Sequence, residues 1–195
     1  METGLPLLDE LREALVAHRS DEIEGDYPDA AVLMAFTDEP EPELVLTVRS
    51  SQLSSHAGEV AFPGGKRDET DESLLYTALR ETEEEIALDT SLVEVLGRSR
   101  QRISYWGLRV TPFVGIIPRG MRLEANPFEI AEIFHVPLKF LLDRNNLAMD
   151  SIIRDGEPRS IPNYPFQGYS VWGLTAVMII DLLNTVYDYG VDLER

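Results

Sequence analysis

The chain has 195 residues, no cysteine, 44% hydrophobic residues and a formal net charge of −18 at pH 7. These values indicate one globular domain over residues 1–195, exclude disulfides and thiolate sites, and disfavour nucleic-acid partners because phosphates would be repelled. An anionic substrate would need metal ions and local Arg or Lys at its site.

The amino-terminal region predicts one amphipathic helix, over about residues 5–18, from apolar residues at positions 5, 8, 11, 15 and 16. It lacks the basic segment and apolar core of a signal peptide. The most apolar stretch, Leu174–Ile180, is far shorter than the ~20 residues that span a bilayer. We therefore expect a cytoplasmic protein without a membrane partner.

Most of the remaining chain predicts strands. A hairpin is expected at Ala30–Phe36 and Leu44–Val48, then a strand with a long turn at Leu92–Tyr105, then a strand at Arg109–Ile117 that Pro112 should mark as an edge or a bulge. A short strand at Ile133–Val136, a helix starting near Pro137, a strand at Leu147–Ile153 and a last buried helix at Val171–Tyr187 follow. Without regular βαβ alternation, this order favours an α/β fold with a mixed sheet between helices.

The segment Gly58–Leu88 organises the chain. A strand-like run, Glu59–Phe62, ends at Pro63-Gly64-Gly65, where a turn is expected. A polar link then leads into a helix rich in carboxylates. Its predicted buried stripe consists of Leu75, Ala78, Leu79, Thr82 and Ile86.

Three carboxylates of this helix, Glu81, Glu84 and Glu85, share an arc of roughly 100° beside the apolar stripe. Like charges at this spacing repel, and oxygen ligands suit Mg²⁺ or Mn²⁺. The arrangement is therefore typical of a site for hard cations. A solvated acidic helix face is the alternative.

The same segment resembles the Nudix box, Gly-x5-Glu-x7-Arg-Glu-U-x-Glu-Glu-x-Gly-U, where U is apolar, over about residues 65–88. The matching residues are Gly65, Glu72, Arg80, Glu81, Glu84, Glu85 and Leu88. The resemblance implies a Nudix-like α/β/α sandwich with a mixed β-sheet and a divalent cofactor, Mg²⁺ or Mn²⁺. It also implies metal ligands at Glu81, Glu85, Glu84 and the Gly65 carbonyl.

The box departs from the pattern at three places. One extra residue separates Gly65 from Glu72, Thr82 replaces an apolar residue, and Ala87 replaces the last glycine. Asp71 has the expected spacing from the glycine, whereas Glu72 has the expected spacing from Arg80. Either carboxylate could pair with Arg80 and hold the preceding loop against the helix.

Upstream, the run LTVRSSQLSSHAGEVAFPGG at residues 46–65 resembles the signature of the coenzyme A diphosphatase subgroup. Residues 110–115 and 171–176 are also similar to that subgroup. The resemblance implies cleavage of the diphosphate of CoA or its thioesters, giving 4′-phosphopantetheine (or its acyl form) and adenosine 3′,5′-bisphosphate.

The candidate substrate-binding residues are Arg49, Ser50, His56 and Lys66. Arg49, at a strand end, could hold a phosphate in bidentate fashion or form a surface ion pair. His56 could contact substrate or shape its loop. Arg98, Arg100 and Arg102 are candidates for the 3′-phosphate, with a solvated edge strand as the alternative.

The general base must lie within hydrogen-bond reach of the attacking water. Nudix relatives often take it from a loop after the central strands, which favours Glu129; Glu132 is second and a box glutamate such as Glu84 third. Two rival functions stay open: a Nudix hydrolase of ADP-ribose, NADH or a nucleoside triphosphate, and a non-catalytic Nudix-fold binding module.

Overall fold

A computed structural model of the chain describes residues 7–17, 22–52, 57–154 and 156–193. The helix predicted over residues 5–18 is observed as α1, within the described residues. The α-helices in those ranges are α1 Leu7–Ala17, α2 Leu74–Ile86, α3 Leu138–Leu142 and α4 Gly173–Tyr187. The strands are β1 Asp29–Asp38, β2 Glu43–Arg49, β3 Val60–Ala61, β4 Gly64–Lys66, β5 Glu94–Arg98, β6 Arg102–Ile103, β7 Arg109–Pro118, β8 Ile130–Pro137, β9 Ala148–Arg154, β10 Glu157–Phe166 and β11 Tyr169–Trp172.

The main sheet is mixed. Its path is β3-β2-β1-β7-β5, with β4 beside β1, β6 beside β7 and β8 beside β2. β1 and β7 run parallel over ten paired positions, whereas β1 and β2 form the predicted antiparallel hairpin. β9, β10 and β11 form a separate antiparallel sheet of three strands.

Helices cover both faces of the main sheet. Successive residues of β1 point to opposite faces: Leu33 belongs to the cluster that includes Ile86 of α2, whereas Met34 belongs to the cluster that includes Leu11 of α1 and Ile179 of α4. This arrangement confirms the α/β/α sandwich with a mixed sheet. Within the described ranges, no helix has the length and apolar character needed to span a bilayer.

Pro112 is not in an edge strand, and the pairing opposite it is irregular, which agrees with the other expectation, a bulge. β7 lies between β1 and the pair β5 and β6. The register pairs Arg98 with Phe113 and Arg102 with Val110, so the partner strand is interrupted opposite Pro112. The missing N–H of Pro112 therefore falls beside a gap, where the Ser99 N–H donates to its carbonyl.

The chain does not simply leave the sheet at Pro63. β3 pairs with β2, and after the proline β4 pairs with β1, placing Gly65 opposite Ala31. The strand thus changes neighbours, which brings the glycines under α2. α4 begins at Gly173 rather than at Val171, because residues 171 and 172 belong to β11.

Candidate active site

Asp71 fixes the loop that precedes α2. Its carboxylate accepts hydrogen bonds from Arg80 Nε at 2.9 Å and Nη2 at 3.0 Å, from the Asp68 N–H and from the Thr77 hydroxyl. The Arg80 hydrogen bonds are the main reason that the pKa of Asp71 lies well below its usual value. Asp71 is buried and Glu72 is exposed. Of the two candidates, Asp71 is therefore the partner of Arg80, and the extra residue of the box lies between this carboxylate and the helix.

The other two departures from the box have local explanations. Thr82 is fully buried, and its hydroxyl donates to the Ala78 carbonyl one turn earlier at 2.6 Å, so it occupies an apolar position without an unsatisfied group. Ala87 follows the last residue of α2 with φ 53° and ψ 32°, the left-handed conformation that usually selects glycine. Its N–H still closes the helix on the Glu83 carbonyl.

The three helix carboxylates differ in environment. Glu85 is 2% exposed and accepts a hydrogen bond from the Gly64 N–H at 3.0 Å. Glu81 lies 3.0 Å from Arg80 Nη2, and the more exposed Glu84 lies 3.2 Å from Arg80 Nη1. The predicted arc therefore contains one buried carboxylate and two that share the Arg80 guanidinium.

The carboxyl groups of Glu85 and Glu81 both have raised pKa values. Burial raises the pKa of Glu85 to about 7, and repulsion from Glu81 and Glu129 adds to that effect. Burial also raises the pKa of Glu81, with repulsion from Glu84 and Glu129. Arg80 and Arg49 therefore offset only part of the effect of burial and mutual repulsion on these carboxylates.

Gly65 lies directly against these carboxylates. A Cβ atom at Gly65 would come within 2.4 Å of the Glu81 carboxylate, so only glycine fits without displacing it. The oxygen-only donor set and this close approach fit a hard divalent cation. Across the described residues, however, no three Asp, Glu or His side chains already converge on one point. Glu81 and Glu84 instead pair with Arg80.

Arg49 reaches the Glu85 carboxylate from the end of β2. Its Nη1 lies 3.8 Å from Glu85 Oε1, and its Nε is buried without a hydrogen-bond partner among the described residues. Ser50 is buried, its N–H donates to the Glu129 carbonyl at 2.8 Å, and its hydroxyl accepts from the Gln52 N–H. β2 therefore brings Arg49 to the carboxylates and Ser50 to the Glu129 turn.

The other sequence-predicted residues have varied positions. Lys66 is exposed at the end of β4, and His56 lies outside the described residues. Glu132 accepts a hydrogen bond from the Tyr169 hydroxyl. Arg102 forms an ion pair with Asp181 of α4, and Arg98 one with Glu22, which disfavours both as free phosphate ligands.

The turn that carries Glu129 contains a residue that the sequence did not single out. Asn126 accepts from the Phe128 N–H through Oδ1 at 3.2 Å, and its Nδ2 lies 3.5 Å from Glu129 Oε1. Its own N–H donates to the Glu85 carbonyl at 2.8 Å. The Asn126-Pro127 dipeptide is a turn signal, but its contact with α2 is visible only in the folded chain.

Comparison with known proteins identifies the family of the chain. A profile of the NUDIX domain matches residues 26–155. The chain belongs to the Nudix family. It is 44% identical over 157 residues to the uncharacterized Nudix hydrolase NudL of Photorhabdus laumondii, covering 80% of this chain and 84% of that relative. A Yersinia pestis protein of the same name is 42% identical over 157 residues, with 80% and 79% covered.

A solved structure supports the fold. The MutT/nudix family protein from Enterococcus faecalis superposes with a TM-score of 0.52 at 17% identity, covering 93% of this chain and 70% of that one. Family membership and the named relatives make this Nudix protein an enzyme, a diphosphatase acting on a substrate that contains a diphosphate.

Proposed function

We propose that this Nudix diphosphatase hydrolyses coenzyme A or its thioesters with Mg²⁺ or Mn²⁺ as cofactor. The products would be 4′-phosphopantetheine, or its acyl form, and adenosine 3′,5′-bisphosphate. The cytoplasmic location expected from the sequence stays a prediction.

The observation that carries the proposal is the position of Arg49. This residue belongs to the upstream run that resembles the CoA diphosphatase signature, and its guanidinium meets Glu85 of the box helix. Its buried Nε has no hydrogen-bond partner among the described residues, and such a donor is costly to leave unpaired. A phosphate oxygen of the substrate would satisfy it, because the guanidinium fork matches phosphate geometry.

Glu81, Glu85, Glu84 and the Gly65 carbonyl are the proposed metal ligands. Divalent ions held there would neutralise the charge of the diphosphate and lower the pKa of the attacking water. Arg80 and Asp71 support these ligands, because their ion pair holds the loop between β4, which contains Gly65, and α2. Asp71 takes the supporting position that the sequence left open between it and Glu72.

The chemical step is attack of water on one phosphorus of the diphosphate. The bond from that phosphorus to the bridging oxygen breaks, and the other phosphate leaves with the bridging oxygen. Glu129 would accept the proton of the attacking water, and its repulsion of Glu81 and Glu85, which helps to raise the pKa of both, supports this choice. Glu132 and then Glu84 are the further candidates for this role. Arg49, Ser50, His56 and Lys66 are the proposed substrate-binding residues.

A substrate panel tests the proposal. The enzyme is incubated with CoA, ADP-ribose, NADH and dATP, each with Mg²⁺ or Mn²⁺ and with an EDTA control, and the products are separated by chromatography. Metal-dependent release of adenosine 3′,5′-bisphosphate from CoA, faster than cleavage of the others, is the expected result. Cleavage of the other compounds with CoA intact would reject the substrate, and no metal-dependent cleavage at all would favour a binding module.

A further inference from the structure

The turn at residues 126–129 joins three parts of the candidate site through hydrogen bonds. The Asn126 N–H donates to the carbonyl of Glu85, at the end of α2, and the Glu124 N–H donates to the carbonyl of Ile86. The last carbonyls of a helix have no partner within it. This segment therefore caps α2 and fixes the position of the start of the turn relative to that helix.

The turn is closed by Asn126 itself. The Asn126 carbonyl accepts from the Glu129 N–H at 3.0 Å and from the Ile130 N–H at 2.8 Å. Its side-chain oxygen accepts from the Phe128 N–H, the usual asparagine turn contact. At the other end, the Glu129 carbonyl accepts from the Ser50 N–H. The backbone of Glu129 is thus held between α2 and the end of β2.

The remaining side-chain contact of Asn126 is directed at the Glu129 carboxylate. Nδ2 lies 3.5 Å from Glu129 Oε1, the outer limit for a hydrogen bond. A neutral donor here orients the carboxylate and leaves its negative charge in place, whereas an arginine would neutralise that charge. The contact with the α2 terminus is made by the Asn126 backbone, whereas the Asn126 side chain contacts Glu129 and the Phe128 N–H.

We propose that Asn126 is a positioning residue, whose side chain orients the Glu129 carboxylate toward the reacting water while its backbone N–H holds the turn against α2. The proposal rests on the role of Glu129 as general base. A base displaced by about 1 Å loses roughly 10²-fold in rate. Loss of Asn126 should therefore reduce kcat through Glu129 and leave substrate binding unchanged.

The test is a double-mutant cycle of Asn126→Ala and Glu129→Gln, with kcat and KM measured on the best substrate of the panel. We expect Asn126→Ala to lower kcat at least 10-fold, with KM within threefold. In the Glu129→Gln background the same substitution should change kcat less than twofold, because the residue that Asn126 positions is already inactive. An equal loss in both backgrounds would overturn the proposal, as would an unchanged kcat in Asn126→Ala.

Asn126→Asp separates the two side-chain contacts. Aspartate keeps an acceptor for the Phe128 N–H but replaces the Nδ2 donor with a second negative charge. We expect kcat to fall at least as far as in Asn126→Ala, with the thermal unfolding midpoint closer to wild type. Recovery of wild-type kcat in Asn126→Asp would overturn the proposal.

Asn184→Ala is the matched control. Asn184 also makes a pair of side-chain bonds to backbone, to the N–H and carbonyl of Val191 near the carboxyl end. We expect Asn184→Ala to lower the stability of the protein and leave kcat unchanged. If Asn184→Ala lowers kcat as much as Asn126→Ala does, the effect of Asn126→Ala is explained by lost stability alone. The general-base assignment is tested separately by Glu129→Gln alone. If the kcat of that variant stays within threefold of wild type, Glu129 is not the general base.

Discussion

Two arginines contact different carboxylates of the candidate site, and they differ in how far protein groups satisfy their hydrogen-bond donors. Arg80 binds Asp71 through two hydrogen bonds and also pairs with Glu81 and Glu84. Arg49 makes one loose contact to Glu85 at 3.8 Å and leaves its buried Nε unpaired among the described residues. Arg80, whose donors are bonded to protein carboxylates, stabilises the loop and helix, whereas Arg49, which has an unpaired donor, is suited to bind a ligand.

The difference divides the site into two halves. The loop and helix of the box are connected by their own hydrogen bonds, and they present the carboxylates proposed as metal ligands. The end of β2 and the turn at residues 126–129 add groups that would contact substrate and water. Removing a group from the first half should affect metal binding or stability, and removing one from the second half should affect turnover.

Glu85→Gln should have the largest effect on activity. The substitution keeps the size of the buried side chain and removes the charge that would bind the cation. We expect the metal-dependent rate to fall by more than roughly 10²-fold, a barrier increase of about 2.7 kcal/mol. Steady-state hydrolysis of the best panel substrate measures this.

Glu83→Gln is the control for that variant, because Glu83 is exposed on the same helix. Its rate should stay within threefold of wild type. If Glu85→Gln also stays within threefold, Glu85 is not a metal ligand.

Arg49→Ala should have the next largest effect. Hydrogen bonds to charged groups contribute about 1.5–3 kcal/mol, so kcat/KM for CoA should fall roughly 10- to 150-fold. Thermal unfolding should change little, because Arg49 makes only a loose contact to the protein. Arg12→Ala, which removes the remote ion pair with Glu94, should leave kcat/KM unchanged; an equal loss in both variants would contradict a substrate-binding role for Arg49.

Asp71→Asn should affect stability more than chemistry. Because the pKa of Asp71 is lowered in the folded state, its contribution to stability is complete above its unfolded pKa of about 3.9 and is lost as the pH falls through the lower folded value. Thermal unfolding should show a lower midpoint at neutral pH and a smaller deficit in strong acid. Glu72→Gln should match wild type throughout, and a larger deficit for Glu72→Gln would reverse the assignment of the Arg80 partner.

Ala87→Gly should produce the smallest change, and a favourable one. Glycine relieves the left-handed conformation at the end of α2, partly offset by the greater freedom of glycine in the unfolded chain. We expect a stability gain of up to about 1 kcal/mol in chemical denaturation. A loss would show that the Ala87 methyl group makes a stabilising contact.

The main features of the fold were predictable because they follow local periodicity. The hairpin of β1 and β2, the helix α2 and the final helix all carry clear apolar patterns. β10 was missed because its prolines at positions 158, 162 and 165 argue against a strand. The neighbours of β7 were also missed, since they depend on which distant strand pairs with it.

The site was predictable as a set of residue types but not as a set of contacts. The spacing of Glu81, Glu84 and Glu85 indicated the cluster, yet only the folded chain shows that Glu85 is buried and that Arg80 shares the other two. Whether Asp71 or Glu72 pairs with Arg80 depends on where in the loop the one extra residue is accommodated, which the spacing does not show. The Asn126 N–H donates to the carbonyl of Glu85, some 40 positions earlier in the chain, a contact that no local pattern reveals.

Direct cation binding tests the central claim, that the α2 carboxylates form the metal site. The free Mn²⁺ signal in electron paramagnetic resonance is titrated with wild-type protein, Glu85→Gln and Glu83→Gln, without substrate. We predict that wild type and Glu83→Gln deplete free Mn²⁺ equally, and that Glu85→Gln weakens binding at least 10-fold. Equal binding by all three variants would place the metal elsewhere and contradict the account.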